Sequence, residues 1–227
     1  MKQNPPTKLP PPHDHSEGAA APLRVQILAT EHWSLLATRS MTWNEMFSRT
    51  GTFLTILSAS VIALSLVAQA TGFDAGFRVF AILVLPIVLL VGLGTYIRLV
   101  EADIEDAWLV VGMNRLRHAY LELAPELEPY FVTSHHDDEL GVLRTYSFRT
   151  EVGLSHLLCG SPVIVGIIDS VVAGVFASIV CQALGGAVEL QIAVGFVVAL
   201  ASAAMLGAMA YRRIGQLRRD YHPRFPS

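Results

Sequence analysis

Four long stretches without a charged side chain constrain this 227-residue sequence more than any other feature. They cover residues 50–73, 79–97, 152–188 and 190–211, and Asp169 is the one interruption. A helix needs about 20 apolar residues, at a rise of about 1.5 Å each, to cross the hydrocarbon core of a bilayer. Each stretch is long enough, so the sequence predicts transmembrane helices over 51–71, 77–98, 162–184 and 189–211.

The alternative is a soluble protein in which the same four helices are buried. Only 15% of the residues are charged, whereas about a quarter are charged in ordinary soluble domains. The short connectors around Asp74 and Gly185 cannot supply the polar shell that a soluble fold requires. We therefore predict an all-α polytopic membrane protein, with four transmembrane helices in two hairpins and a helical cytoplasmic segment between them.

The remaining sequence divides around these spans. Six of the twelve prolines lie in the first 22 residues, which indicates a disordered tail. The predicted segments are a cytoplasmic tail (1–22), an amphipathic interfacial helix (23–50), a first transmembrane hairpin (51–98), a cytoplasmic helical segment (99–161), a second hairpin (162–211) and a basic cytoplasmic tail (212–227).

The sixteen Lys and Arg residues predict the orientation. Five lie before the first span, five in the central segment and five after the fourth span, so that only Arg78 is left near a short turn. Basic residues near span ends favour the cytoplasmic side of the membrane. We expect both termini and the central segment to be cytoplasmic.

Residues 23–50 carry a mainly apolar stripe at helical spacing. Its members are Ala29, Trp33, Leu36, Ser40, Trp43 and Phe47. Because tryptophan is enriched at membrane–water interfaces, this pattern predicts an amphipathic helix at the cytoplasmic interface or packed on the central segment. Such a helix either anchors the protein or moves as a gate.

The second span is predicted to continue beyond the membrane as a stalk. No proline interrupts residues 98–123, apolar residues keep helical spacing there, and Pro125 is expected to end the helix. A further helix is predicted to begin at Ser134. The third span is predicted to open with Ser161 as N-cap and Pro162 in the first helical position.

Asp169 lies well inside the third predicted span, seven residues after Pro162. A carboxylate at such a position costs about 2.5 kcal/mol or more unless it is paired, protonated or in contact with water. It is either an ion- or proton-binding site, a carboxylate satisfied by hydroxyls such as that of Ser170 or those of the first span, or a residue whose segment lies closer to the membrane surface than predicted.

Two predicted spans carry stripes of small or polar side chains. On the first span, one face can line a pore or pack by hydrogen bonds, and it holds Thr55, Ser58, Ser65 and Gln69. On the fourth span, small residues at intervals of four favour close packing within the bundle or between protomers, and they are Gly195, Ala199, Ala203 and Gly207.

Residues 135–139 include side chains that bind metals, without a recognisable metal-binding spacing. On a helix His135 and Glu139 would share a face, and His118 or His156 would have to supply a third ligand. Helix capping explains the acidic residues equally well. We predict no metal site and no cofactor, with His135 and Glu139 as the alternative ligands. Glycine-rich nucleotide loops and nucleophile motifs are missing from the sequence, which gives enzymatic function no support.

Two segments resemble parts of uncharacterised bacterial integral membrane proteins of this size. They are residues 31–40 (EHWSLLATRS) and 114–123 (NRLRHAYLEL). The resemblance implies a location in the bacterial plasma membrane, and it implies no activity.

These observations lead to alternative functional hypotheses. The first is a small oligomeric channel-like or membrane-effector protein, in which Asp169 and the polar face of the first span form the conducting or packing surface. The second is a non-conducting scaffold that presents residues 99–161 to a cytoplasmic partner. The third, a membrane enzyme or metal-dependent regulator, would use His135 and Glu139. Expected partners are the lipid bilayer, further copies of the chain and a cytoplasmic protein, with no nucleic acid.

Overall fold

The computed structural model describes residues 15–146 and 160–227, and within these ranges it is helical without a strand. The elements are α1 (His15–Thr71), α2 (Ala75–Leu123), a 3-10 helix (Pro125–Tyr130), α3 (Glu139–Tyr146), α4 (Ser161–Ala183) and α5 (Val188–Asp220). Four of these helices, α1, α2, α4 and α5, are long and apolar enough to cross a membrane. The all-helical fold and the four apolar helices are thus confirmed.

α1 is one continuous helix of 57 residues, about 85 Å long. It joins the predicted amphipathic helix to the first span without a break at residue 50. It also begins at His15, inside the segment predicted to be a disordered tail, with Pro22 within the helix. About 54 Å of α1 therefore precedes the first predicted span.

α2 is also continuous, from the turn after α1 to Leu123, as the helical spacing beyond Arg98 predicted. Asp74 caps its first turn, because its Oδ1 accepts the backbone N–H groups of Gly76 at 2.8 Å and Phe77 at 3.2 Å. Pro125 follows directly and opens the 3-10 helix. The part of α2 beyond Arg98 is about 38 Å long.

α1 packs along α2, α4 packs along α5, and α2 packs against α4. The apolar core lies where these helices meet, around Phe53, Val88, Leu99 and Val165. The buried hydroxyl of Tyr96 donates a hydrogen bond of 2.8 Å to a carbonyl of α5. The two short turns each contain a glycine at positive φ, Gly72 and Gly185, a conformation that other residues rarely adopt.

The predicted stripe on α1 is mainly exposed, although its member Trp43 donates a hydrogen bond of 3.0 Å to Asp106 of α2. The neighbouring face makes further contacts with α2: the His32 ring stacks on Tyr120 at 5.8 Å, and the Leu35 side chain lies against Gly112. Trp33 is instead 71% exposed and Phe47 62% exposed. Polar contacts favour the packing of this neighbouring face. Asp106 of α2 pairs with Arg39 of α1, and Arg98 of α2 pairs with Glu45 of α1.

Two helix starts differ from their predictions. α3 begins at Glu139 and not at Ser134, and Asp138 acts as its cap by accepting the backbone N–H of Gly141 at 2.8 Å. The hydroxyl of Ser134 accepts a hydrogen bond from the backbone N–H of His136 in the preceding loop. α4 begins at Ser161 itself, since Gly160 occupies the cap position.

Candidate functional site

Away from the two short turns, the described chain outside the predicted spans comprises residues 15–50, 99–146 and 212–227, which we call the extramembrane module. Hydrogen bonds connect α1, α2, α3 and the C-terminal segment within it. Near the predicted membrane surface, the Arg98 guanidinium donates to both oxygens of the Glu45 carboxylate at 3.0 Å and to Glu105 at 2.7 Å. Arg213 of α5 pairs with Glu101 at 2.8 Å. These ion pairs connect α1, α2 and α5 where they leave the spans.

Asp106 on α2 holds the extramembrane part of α1 in place. Its buried carboxylate accepts hydrogen bonds from Arg39 Nε at 2.8 Å and from Trp43 Nε1 at 3.0 Å. The hydroxyl of Tyr146 on α3 donates to the same carboxylate. Burial and the neighbouring Asp106 raise the pKa of the Tyr146 hydroxyl, which therefore stays protonated and able to donate. One carboxylate thus connects α1, α2 and α3.

Asp137 connects the segment after α5 to α2. Its carboxylate is fully buried and accepts Arg115 Nε at 2.7 Å and the backbone N–H groups of Arg224 at 3.0 Å and Phe225 at 2.8 Å. Burial alone would raise the pKa of Asp137, but these hydrogen bonds outweigh it and hold the pKa at about 2. The basic segment 212–227, predicted only as a cytoplasmic tail, is therefore an integral part of the module.

A mainly apolar cavity of about 410 Å3 opens where α2, α3 and α5 meet. Trp108 and Val111 of α2, Val142 of α3 and Leu217 of α5 contribute to its walls. A volume of this size lies in the range of ligand and anchor pockets, about 300–1,000 Å3. At its edge, Arg218 and Glu139 form an exposed ion pair at 2.8 Å.

The alternative metal ligands His135 and Glu139 are not brought together as a site. Glu139 pairs with Arg218. No group of three or more His, Cys, Asp or Glu side chains in residues 15–146 and 160–227 is placed to hold a metal ion. Of the two candidate third ligands, His118 lies with its ring centroid 5.9 Å from that of His135, and His156 falls outside the described residues.

Three histidines instead form an aromatic cluster beside the C-terminal segment. The His135 ring lies 4.1 Å from His136 and 5.9 Å from His118, and His118 stacks on Phe225 at 4.0 Å. Burial and the neighbouring imidazoles lower the pKa of His135, against the opposing effect of Glu128. The surroundings therefore favour the neutral imidazole of His135.

Asp169 lies inside the helical bundle, with 6% of its surface exposed. Its carboxylate packs against Gly92 of α2, where a methyl group would collide with both Asp169 and Phe53 of α1. In the described part of the chain, Asp169 Oδ1 has no hydrogen-bond partner. The predicted partner Ser170 is not one, because its hydroxyl donates to the carbonyl of Gly166 at 2.7 Å. A buried carboxylate oxygen is thus left without a donor.

The polar face of the first span does not meet Asp169. All four of its residues are exposed on the outside of α1, namely Thr55, Ser58, Ser65 and Gln69. The hydroxyls of Thr55 and Ser65 donate at 2.8 Å to backbone carbonyls four residues earlier. Within one chain, therefore, this face neither packs against another helix nor shares a surface with Asp169.

Half of the small-residue ridge on α5 packs against α4. Gly195 and Ala199 approach Gly174 of α4 so closely that a methyl group on Gly174 would overlap both. Ala203 is exposed in a groove between α4 and α5, and Gly207 has open space around it in the described structure. The predicted close helix packing is found within the bundle, at the end of the ridge nearer the Gly185 turn.

Comparison with protein-family models, curated proteins and solved structures gives no significant match for this chain.

Two residues that organise the module, Asp106 and Asp137, are not among the site residues predicted from the sequence. The sequence contains a feature that could have identified Asp106, because this acidic residue interrupts a helical stripe that includes Leu99, Ala102 and Val110. No such feature marks Asp137, since its partner Phe225 is 88 residues away in the chain.

Proposed function

We propose that this chain is a multi-pass protein of the bacterial plasma membrane that presents its extramembrane module to a protein partner in the cytoplasm. The carboxylates of Asp106 and Asp137 support this proposal. Each is buried among guanidinium, indole, hydroxyl or backbone donors, and together they hold α1, α2, α3 and the C-terminal segment in one arrangement. A surface held in one arrangement loses little conformational entropy when a partner binds.

The cytoplasmic location of the module rests on its basic residues. Fifteen of the sixteen Lys and Arg residues lie outside the short turns of the chain, in the segments that contain the module or flank it. Basic residues close to span ends favour the cytoplasmic side. The Gly72 and Gly185 turns then face the opposite side.

The cavity between α2, α3 and α5 provides the anchor point for this partner. It is lined mainly by apolar side chains, and protein interfaces gain most of their binding energy from apolar or aromatic anchors that fill such pockets. The partner would insert an apolar side chain between Trp108 and Val142. The exposed Arg218–Glu139 pair at the edge offers one charge of each sign to the rim of that interface.

Capture by the full-length protein in lipid nanodiscs tests the proposal. The wild type is expected to capture one defined partner from its own cells in stoichiometric amount. Val142→Trp, which fills the cavity, should abolish capture, whereas Val132→Trp, at an exposed position before α3, should leave it intact. Failure to capture a stoichiometric partner, or equal capture by both variants with unchanged thermal stability, would overturn the proposal.

Ion conduction is the second candidate, and Asp169 favours it. A carboxylate oxygen without a donor inside a membrane bundle is costly, and such residues commonly mark ion or proton pathways. Ion or proton flux into liposomes that contain the purified protein should then fall in Asp169→Asn. Flux that is absent, or unchanged by this substitution, excludes a pathway through Asp169.

A further inference from the structure

One face of α1 remains exposed along most of the helix. We call it the outer face, and its residues are Trp33, Leu36, Ser40, Trp43, Phe47, Gly51, Thr55, Ser58, Ile62, Ser65 and Gln69. From Trp33 to Gln69 the ten spacings between successive members add up to 36 residues. Their average of 3.6 residues equals one turn of an α-helix, so these residues lie in one row along the helix. All of them are exposed and none is charged, and one of them, Trp43, also donates its indole N–H to Asp106 of the same chain while the rest of its side chain stays exposed.

The polarity of the outer face is the reverse of what a single chain in a membrane requires. Outside the predicted span it presents large apolar side chains to water, among them Trp33 and Leu36. Inside the span it presents hydroxyl and amide side chains to lipid, among them Ser58 and Gln69. Exposed apolar patches and lipid-facing polar groups both indicate a surface that is covered by another protein.

The membrane itself cannot cover the end of the aromatic part that contains Trp33. α1 runs uninterrupted from His15 to Thr71, so Trp33 lies about 27 Å along the axis from Gly51, where the predicted span begins. A tilt of about 40°, the largest seen in membrane helices, still leaves about 20 Å. The polar region of a bilayer is only about 5–8 Å thick on each side. Contact with Asp106 of α2 further fixes α1 against bending towards the lipid.

We propose that the outer face of α1 is a parallel interface with α1 of a second copy of this chain. Identical chains insert at the same depth and in the same orientation, so a two-fold axis along the membrane normal places each residue at the height of its counterpart. The aromatic part then meets an aromatic part in water, and the polar part meets a polar part in lipid. A partner of different sequence would have to reproduce this reversed polarity at the same heights.

The composition of the outer face suits such close contact. None of its side chains is charged, so two copies meet without like-charge repulsion. Gly51, Thr55 and Ser58 are small residues at spacings of four and three, which let helix backbones approach in a membrane. At Gly51 the described structure leaves open space, as an interface between chains requires.

Disulfide cross-linking of the full-length protein in lipid vesicles tests this inference. In a background with Cys159→Ser and Cys181→Ser, single cysteines are placed on the outer face as Ser40→Cys and Ser58→Cys. Thr38→Cys and Ala59→Cys serve as controls, because they are exposed at similar heights but point about 160° and 100° away. Purified protein is reconstituted at low density and oxidised.

Both outer-face cysteines are expected to give a covalent dimer, at least five-fold faster than either control. Equal rates at test and control positions would overturn the proposal, as would dimers at only one of the two outer-face positions. Cross-linking of Ser40→Cys to a different protein in native membranes, without a dimer in purified vesicles, would assign the face to that protein and also refute it. The cross-linking rates in purified vesicles do not depend on the cytoplasmic partner proposed to fill the cavity, so this test and the capture experiment can fail independently.

Discussion

The Asp137 carboxylate accepts the backbone N–H of Phe225 at 2.8 Å, across 88 residues of sequence. This contact fixes the chain after α5 beside the loop that precedes α3. Asp137 is fully buried and also pairs with Arg115, so its carboxylate is the buried acceptor that ties the C-terminal segment to α2, while the exposed end of the segment donates to Asp138 through Ser227. Two of the four predictions below concern this contact and the histidines beside it, and the other two concern the packing of the spans.

Asp137→Ala should detach the C-terminal segment from the module. Removing one partner of a buried ion pair leaves the other charge uncompensated, at a cost of about 3–5 kcal/mol. Trypsin should then cleave after Arg218, Arg219 or Arg224 at least ten-fold faster in detergent micelles. Glu139→Gln removes only an exposed ion pair, worth about 0–1 kcal/mol, and should leave the cleavage rate close to wild type. Similar rates in both variants would show that Asp137 does not hold the segment.

Mild acid should loosen the same segment through the histidine cluster. The pKa of His135 is lowered in the folded protein from its ordinary value of 6.5, mainly by burial, so its contribution to folding is present above pH 6.5 and is lost as the pH falls below it. Asp137, with a pKa of about 2, stays ionised in that range. Amide hydrogen exchange at Phe225 should therefore quicken between pH 7.5 and 5.0 beyond the intrinsic pH effect. In His135→Gln that extra change should be much smaller, and an unchanged pH response in this variant would contradict the prediction.

Gly92→Ala should disturb the packing around Asp169. A methyl group at residue 92 would overlap the Asp169 carboxylate and the Phe53 ring, so α1, α2 or α4 must shift. The cost should be about 1–3 kcal/mol, as for other overpacked cores, and should appear as a lower Tm in detergent. Gly94→Ala is the control, because the described structure leaves space for its methyl group. A Tm of Gly92→Ala equal to that of Gly94→Ala would contradict this position of Asp169.

Gly174→Ala should separate α4 from α5. Its methyl group would lie 2.9 Å from Ala199 Cβ and closer still to the backbone oxygen of Gly195, which cannot move without the helix. We expect the Tm to fall by several degrees, whereas Gly207→Ala on the same ridge should raise it or leave it unchanged. The opposite order of the two Tm values would mean that the other half of the ridge forms the contact.

The long helices were predictable because their signals are local. Each apolar stretch identifies its own helix, and the proline-free run after Arg98 with Pro125 behind it sets the end of α2 within two residues. Hydropathy and proline positions need no knowledge of the rest of the chain.

The choice of packing face on α1 was not predictable by the same reasoning. An apolar stripe normally faces the protein, and the stripe through Trp33 and Phe47 is more apolar than its neighbour. The structure packs the neighbouring face because Asp106, 67 residues after Arg39, provides a buried acceptor for it. Asp169 was recognised as unusual from its position alone, but its lack of a donor depends on the side chains around it.

The uninterrupted α1 also has a mechanical consequence. A helical rod whose interior proline, Pro22, lies near its far end behaves as a lever arm. Membrane helices respond to local bilayer thickness by changing their inclination. For an arm of about 54 Å, a rotation of only 10° sweeps the His15 end through about 9 Å, a displacement comparable to the diameter of a helix. A small change in bilayer thickness would thus produce a larger displacement of the N-terminal end of α1, far from the membrane.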